Sequence, residues 1–501
     1  MRSKKAIANI IISLLYQIVA IICGLIVPRL IISTFGSSVN GLISSITKFL
    51  GYIVFLEAGV GGVVRAALYK PLAEKSVEKI SGIIKATEKF FRAIGLIFLG
   101  YLLVIAIIFP FITSDDFIYF YTFTLVLIIG ISTFIQYYFG ISYQILLQAD
   151  QLQYITNLVQ IFTMIINTVF IVLLVRLGFG IHIVKLMSSF IFILRPILLN
   201  VYVNWKYQLV KYVKPDNEAI KQRWDGLGHH IAYLLHENTD ITVLTLFTNV
   251  KEVSVYSVYY MVVSSIKKLT VTFSTGLEAA FGNMIAKNEK RALDKNFSIF
   301  EFASFTLTTI FFTSTALLIL PFVSLYTHGV TDVNYYRPVF AYLLTLAEAI
   351  YCIRIPYHSV VLAAGHFKET RNGAFAEAFI NIILSVLLVH KWGIIGVTVG
   401  TIVAMVFRTI QYAVYLSRNI LERSILEFIK KVIIYTFTVL LIIAAVKSLP
   451  ALTINSYKSW IIYAIIVTTL ASIITFMVGL LFYYEEIKNI LLILKGLIKK
   501  K

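Results

Sequence analysis

The chain has 501 residues, of which 59% are hydrophobic and only 14% charged, with a mean hydropathy of +0.87. Soluble domains are about one-quarter charged, so this composition excludes an ordinary soluble protein and points to a chain solvated mostly by lipid. The formal net charge of +19 does not indicate nucleic acid, because the bases gather in short links between apolar runs.

A helix needs about 20 apolar residues to cross a bilayer core. Segmenting on that length predicts fourteen helices, near 6–33, 39–66, 90–112, 117–147, 153–176, 181–204, 227–249, 253–284, 298–327, 337–364, 370–390, 393–418, 429–449 and 457–483. The opening MRSKKAIANIIISLLYQIVAIICGLIV is too long for a signal-peptide core and reads as the first span. Its cysteine, Cys23, and the other one, Cys352, both fall in apolar runs and form no ligand spacing.

The link between the second and third helices holds Arg65, Lys70, Lys75, Lys79, Lys85, Lys89 and Arg92. The 205–226 link holds Lys206, Lys211, Lys214, Lys221 and Arg223, and the tail ends in Lys499, Lys500 and Lys501. Fewer bases lie in the alternate links, so the positive-inside rule predicts both termini on the cytoplasmic side. The tail YYEEIKNILLILKGLIKKK is amphipathic and basic, the pattern of a helix lying along the inner surface.

The chain repeats itself. SSITKF (44–49) returns as SSIKKL (264–269), and LEAGVGG (56–62) as LEAAFGN (277–283). ILRPILLNVYV (193–203) returns as VFRTIQYAVYL (406–416), pairing Arg195 with Arg408 and Tyr202 with Tyr415. Offsets of about 220 and 213 pair helix 2 with helix 8 and helix 6 with helix 12. Four parts follow: an N-lobe over 1–204, a cytoplasmic linker over 205–226, a C-lobe over 227–420, and a last helix pair with the basic tail over 421–501. Two halves in parallel suit a transporter with its site between lobes.

Charges inside apolar helices are costly, about 2.5–3.5 kcal/mol at the bilayer centre, and need a cavity or a partner. Lys48, Lys267, Lys268, Arg354, Arg29, Arg195 and Arg408 are such bases. Two readings stand: they pair with Glu57, Glu278, Glu348 or Glu377 and lock helices together, or they line a cationic cavity for a phosphate-bearing substrate. Helix 7 carries GHHIAYLLHENTDITVL (228–244), where His229, Tyr233, His236 and Asp240 share a face and Glu237 lies beside them. His236, Glu237 and Asp240 are candidates for ion coupling, and a polar seam between helices explains the same stripe. The spacing indicates no metal site. The glycines of EAGVGG suit close helix packing.

FLEAGVGGVVRAALYKPLAEK (55–75), NTDITVLTLF (238–247) with VSVYSVYY (253–260), and LAAGHFKETRNGAFAEAFINIILSVLLVHKWGIIGVTVGTIVAMVFR (362–408) resemble the polysaccharide transporter family. These are the Wzx-type oligosaccharide flippases of the MOP, or MATE-like, exporter superfamily. The resemblance implies an all-α polytopic membrane protein with about fourteen transmembrane helices, two parallel six-helix bundles in a V, and a C-terminal helix pair. It implies flipping of an undecaprenyl-pyrophosphate-linked oligosaccharide across a bacterial plasma (inner) membrane for capsular, O-antigen or exopolysaccharide synthesis. Its expected partners are that lipid, the phospholipid bilayer and polysaccharide assembly proteins, with no nucleic acid. No cofactor is expected, the driving force being an H⁺ or Na⁺ gradient. A lipid II flippase of the same superfamily is the alternative, and LEAGVGG echoes it. A membrane polysaccharide polymerase or ligase, the alternative from another class, needs a sizeable outer loop that the short links do not supply. Without a P-loop or a Ser/His/Asp arrangement, the chain reads as a transporter with no catalytic residues.

Overall fold

The computed structural model describes residues 2–57, 59–210, 212–221, 238–272, 277–450 and 453–499. Among the described residues every regular element is a helix. Two compact units form, Met1–Ser254 and Val255–Lys501.

In the first unit, α1 (Arg2–Gly51) runs for 50 residues but leaves helical geometry at Gly36, with φ 86° and ψ 170°. Only glycine reaches that conformation readily, so α1 is two helices meeting at a sharp corner, close to the predicted boundary. The predicted second helix, 39–66, is not continuous. After Gly51 a short α2 (Val54–Glu57) follows, and α3 (Val60–Glu74) starts from Gly59 in the left-handed region at φ 84°. Next come α4 (Val77–Ile112), α5 (Tyr119–Phe139), α6 (Ile141–Ala149), α7 (Gln153–Arg176) and α8 (Ile181–Tyr207). The fourth predicted helix divides into α5 and α6 at Gly140. The third begins at Val77 rather than near 90, because apolar length marks only the part that lipid would solvate, while VEKISGIIKATEK keeps good helix formers.

The linker after α8 lies along this charged extension of α4. Lys85 Nζ donates to the Val213 carbonyl at 3.0 Å, the Val210 N–H to Ser81 Oγ at 3.0 Å, and the Asp216 N–H to the Gly82 carbonyl at 3.0 Å. Helix α9, described over 238–247, packs on the second half of α1 and the turn that follows it through two hydroxyl pairs, Ser45 with Thr245 and Tyr52 with Thr242, each at 2.7 Å.

From α10 (Val250–Thr272) the chain enters the second unit and, after a turn at Leu277, resumes as α11 (Glu278–Ala286). The predicted eighth helix, 253–284, is covered by α10 and α11, and 273–276 between them lie outside the described residues. Then follow α12 (Lys290–Tyr326), α13 (Pro338–Ala363), α14 (Phe367–Trp392) and α15 (Ile394–Asn419). Last are α16 (Leu426–Lys447), α17 (Tyr457–Phe482) and α18 (Tyr484–Lys499).

The two units repeat one packing plan. In the first, α4 packs on α5, α5 on α8, α7 on α8, and α3 on α4 and α6. In the second, α12 packs on α13, α13 on α15, α14 on α15, and α11 on α12 and α13. Helices α16 and α17 add to the second unit against α12, joined by a small core of Leu318, Ile442, Val446, Val467 and Ala471. Eleven described helices are long and apolar enough to cross a membrane, the first of these stretches, Ile7–Glu57, holding both limbs of α1. The protein is a multi-pass, all-helical membrane protein.

Candidate functional site

The buried charges of the second unit converge from four helices. Lys267 on α10 reaches Glu348 on α13 at 2.9 Å, and both side chains are nearly excluded from solvent. Two turns along α13, Arg354 pairs with Glu377 on α14 at 2.5 Å, and Arg408 on α15 approaches the other carboxylate oxygen at 3.6 Å. The Tyr351 ring joins the pairs, taking Lys267 at 4.4 Å and Arg354 at 4.7 Å from its centroid.

Arg408 is held further by the Thr370 carbonyl at 2.9 Å, Gln411 Oε1 at 2.5 Å and Tyr412 Oη at 2.7 Å. A glycine makes this possible. A Cβ on Gly373 would sit 1.8 Å from Gln411 Oε1 and 2.3 Å from the Arg408 guanidinium. Three bases and two carboxylates leave these five groups with one net positive charge, held dry where electrostatic interactions are strong. Lys268, one position from Lys267, is exposed.

The sequence-predicted bases thus separate. Lys267, Arg354 and Arg408 come together, in the pairing with Glu348 and Glu377 that one of the two sequence readings describes. Arg29, Lys48 and Arg195 lie in the first unit. Arg195 Nε donates to Thr163 Oγ1 at 2.8 Å and its guanidinium stacks 4.2 Å over Phe192. Arg195 and its repeat partner Arg408 therefore both reach across to the helix preceding their own. Arg29, beside Pro28, and Lys48, in the last turn of α1, are partly buried. Asp240 is buried on α9, one turn from the hydroxyl seam with α1. His236 and Glu237 lie outside the described residues.

Sequence reasoning missed a further buried carboxylate. Glu301 on α12 is fully buried and binds Arg423 at 2.5 Å, Lys431 at 2.5 Å and the Tyr357 hydroxyl. These groups tie α12, α13, the 420–425 turn and α16 together. The repeat was the available signal: Glu88 bonds Tyr143 in the first unit, and Glu301 and Tyr357 lie 213 and 214 positions further on. Among the described residues no cluster of three His, Cys, Asp or Glu side chains could hold a metal ion.

No protein-family model matches the chain, and no curated protein sequence matches it either. Solved structures do. The lipid II flippase MurJ in an inward closed conformation superposes with a TM-score of 0.72 over 96% of this chain and 100% of its own, at 16% identity. An inward-facing multidrug resistance MATE family transporter of the MOP superfamily follows at 0.62, over 82% and 98%, at 14% identity. A MOP superfamily transporter from Pyrococcus furiosus, described by the reverse polarity of its binding pocket, aligns at 0.53 over 84% and 95%, at 13% identity. The chain has the fold shared by the MurJ flippase and the MATE transporters.

Proposed function

We propose that this protein is a flippase that moves a polyprenyl-pyrophosphate-linked oligosaccharide across a bacterial plasma membrane, as a Wzx-type member of the MOP superfamily. The observation that carries the reading is the net positive cluster of Lys267, Arg354 and Arg408 around Glu348 and Glu377, with Lys268 exposed beside it, in a chain with a flippase fold. A pyrophosphate headgroup is doubly suited to such a cluster, taking point charge from lysine and paired N–H donors from arginine. The polyprenyl chain needs no protein cavity of comparable charge, because lipid solvates it.

Transport proceeds by alternating access, with the two repeat units as the moving bodies. In the second unit the candidates for holding the pyrophosphate are Lys267, Lys268 and Arg354, with Arg408 adding to the field, and in the first unit they are Lys48, Arg29 and Arg195. Coupling to H⁺ or Na⁺ runs through the carboxylate side of helix 7, where Asp240 is buried. Both termini face the cytoplasm, and polysaccharide assembly proteins act on the product. A second reading, flipping of the peptidoglycan precursor lipid II, is favoured by the likeness to MurJ over nearly the whole chain.

The test is the sidedness of lipid-linked saccharide in cells depleted of the protein, read with a probe confined to the outer leaflet. Inside accumulation of lipid-linked oligosaccharide, relieved by a wild-type copy, supports the first reading, and accumulation of lipid II instead supports the second. Normal outer-leaflet exposure of both, with no other flippase present, overturns them.

A further inference from the structure

A cavity of about 330 Å³ lies in the second unit between α10, α11, α12, α13 and α18. None of the five groups of the ion network lines it. Phe281, Met284, Phe300, Leu307 and Ile355 make its walls, and Ile490 of the tail helix closes one side. Its polar neighbours are few: Thr270 Oγ1 donates to the Ile266 carbonyl at 3.0 Å, the exposed Asn296 amide donates to the Ala292 carbonyl at 2.7 Å, and Ser304 adds one hydroxyl. A polar ligand would find almost no partners here, and water needs two to four. A partly open apolar space of this size favours an apolar occupant over water.

The repeat shows what the space is. Pairing Glu88–Tyr143 with Glu301–Tyr357 sets Phe90 against Ala303, Phe91 against Ser304 and Tyr138 against Cys352. In the first unit Phe91 is core, and Tyr138 packs on α4 at Gly95, 3.4 Å from where a Cβ would stand. Ring side chains thus stand in the first unit at the three places where alanine, serine and cysteine line this cavity.

We propose that this cavity holds an acyl chain of a membrane phospholipid, entering beneath α18. The volume is at the lower end of small-molecule pockets, about 300–1,000 Å³, which suits part of a single acyl chain and is far too small for a whole polyprenyl chain. Helix α18 is an amphipathic helix of the kind that lies at the headgroup level, so an acyl chain passing under Ile490 keeps its headgroup at the interface. The occupant packs against α11 at Ala280, Phe281 and Met284.

A phospholipid carrying a photoactivatable group near the end of one acyl chain tests this on the full protein in nanodiscs. Labelling is expected on peptides of α11, α12 and α13 that line the cavity, and should fall by about tenfold or more in Ser304→Phe, which restores the ring of the first unit. A second reading needs no filled cavity: in Cys23→Ser protein, a long-chain N-alkylmaleimide should modify Cys352 several-fold faster after delipidation and slow again when phospholipid returns. Labelling unchanged by Ser304→Phe, a Cys352 rate indifferent to phospholipid, or labelling of these peptides by a polyprenyl-phosphate probe but not by the phospholipid would each overturn the assignment.

Discussion

Glu377 is the residue on which the ion network turns, since it alone stands between Arg354 and Arg408. Removing one partner of a buried pair leaves an uncompensated charge and costs about 3–5 kcal/mol. Glu377→Gln should therefore lower the thermal unfolding midpoint of the detergent-solubilised protein markedly, and an unchanged midpoint would mean that water or lipid headgroups already solvate the arginines. Outside the membrane, Asp150 shows the opposite balance. Burial alone would push its carboxyl up, but the Tyr207 hydroxyl, with Lys5 and Lys206, holds it below the usual carboxylate range. A depressed pKa stabilises the fold above the unfolded-state value of about 3.9 and loses that contribution as pH falls through the lower folded value. The stability gap between wild type and Asp150→Asn should stay level from neutral pH to about pH 5 and close below about pH 4. Asp150 anchors Lys5 at 2.9 Å from the start of α1, so the gap should be accompanied by loosening of that terminus. Nothing in the spacing of Lys5, Asp150 and Tyr207 along the chain foretold this cluster, because it joins segments about 145 and 57 residues apart.

At the scale of elements, apolar length located the membrane-crossing stretches well and their ends poorly. It saw where lipid would have to solvate the chain, so α7 (Gln153–Arg176) and α17 (Tyr457–Phe482) match the predicted 153–176 and 457–483 closely. It was blind to helix continuing beyond lipid, as in α4 and α12, and to breaks inside apolar runs. Two of those breaks sit on single glycines with positive φ, Gly36 and Gly59, whose conformational role leaves no trace in hydropathy. Gly59 is such a position, with φ 84° before α3. An L-residue there costs about 1–2 kcal/mol, so Gly59→Ala should destabilise the first unit by about that amount, while Gly62→Ala, inside α3, should change little. Equal effects of the two substitutions, read by chemical or thermal unfolding, would show that the left-handed turn is not what Gly59 supplies. LEAGVGG spans the end of α2 and the turn at Gly59, and its repeat LEAAFGN opens at Leu277, the N-cap of α11. The site was half legible for a related reason. Bases stranded in apolar helices stand out in a sequence, but whether each meets a carboxylate depends on neighbours far along the chain. Lys267 meets Glu348 and Arg354 meets Glu377, whereas Lys268 does not turn into that network.

For the molecule as a whole, the repeat supplies the sharpest test of function. Lys48 and Lys268 occupy the same place in SSITKF and SSIKKL, one in each unit, Lys48 in the last turn of α1 and Lys268 on α10. A lysine retained in both copies at membrane depth carries the insertion penalty twice, about 2.5–3.5 kcal/mol each at the bilayer centre. Structural pairing explains Lys267, which is buried against Glu348, but not Lys268, which is exposed. The proposed function gives each of the two lysines a use in attracting an anionic headgroup. Replacing both by glutamine removes two positive charges while keeping length and polarity, so insertion and thermal stability should survive. Outward movement of the lipid-linked saccharide should fall by well over tenfold, because losing about 1.4 kcal/mol of headgroup attraction already costs a factor of ten. Each single substitution should have an intermediate effect, more pronounced at high salt if the remaining lysine acts through long-range attraction. Full transport by a folded Lys48→Gln, Lys268→Gln protein would remove the repeat lysines from substrate binding. The burden of an anionic headgroup would then fall on the buried cluster of Lys267, Arg354 and Arg408.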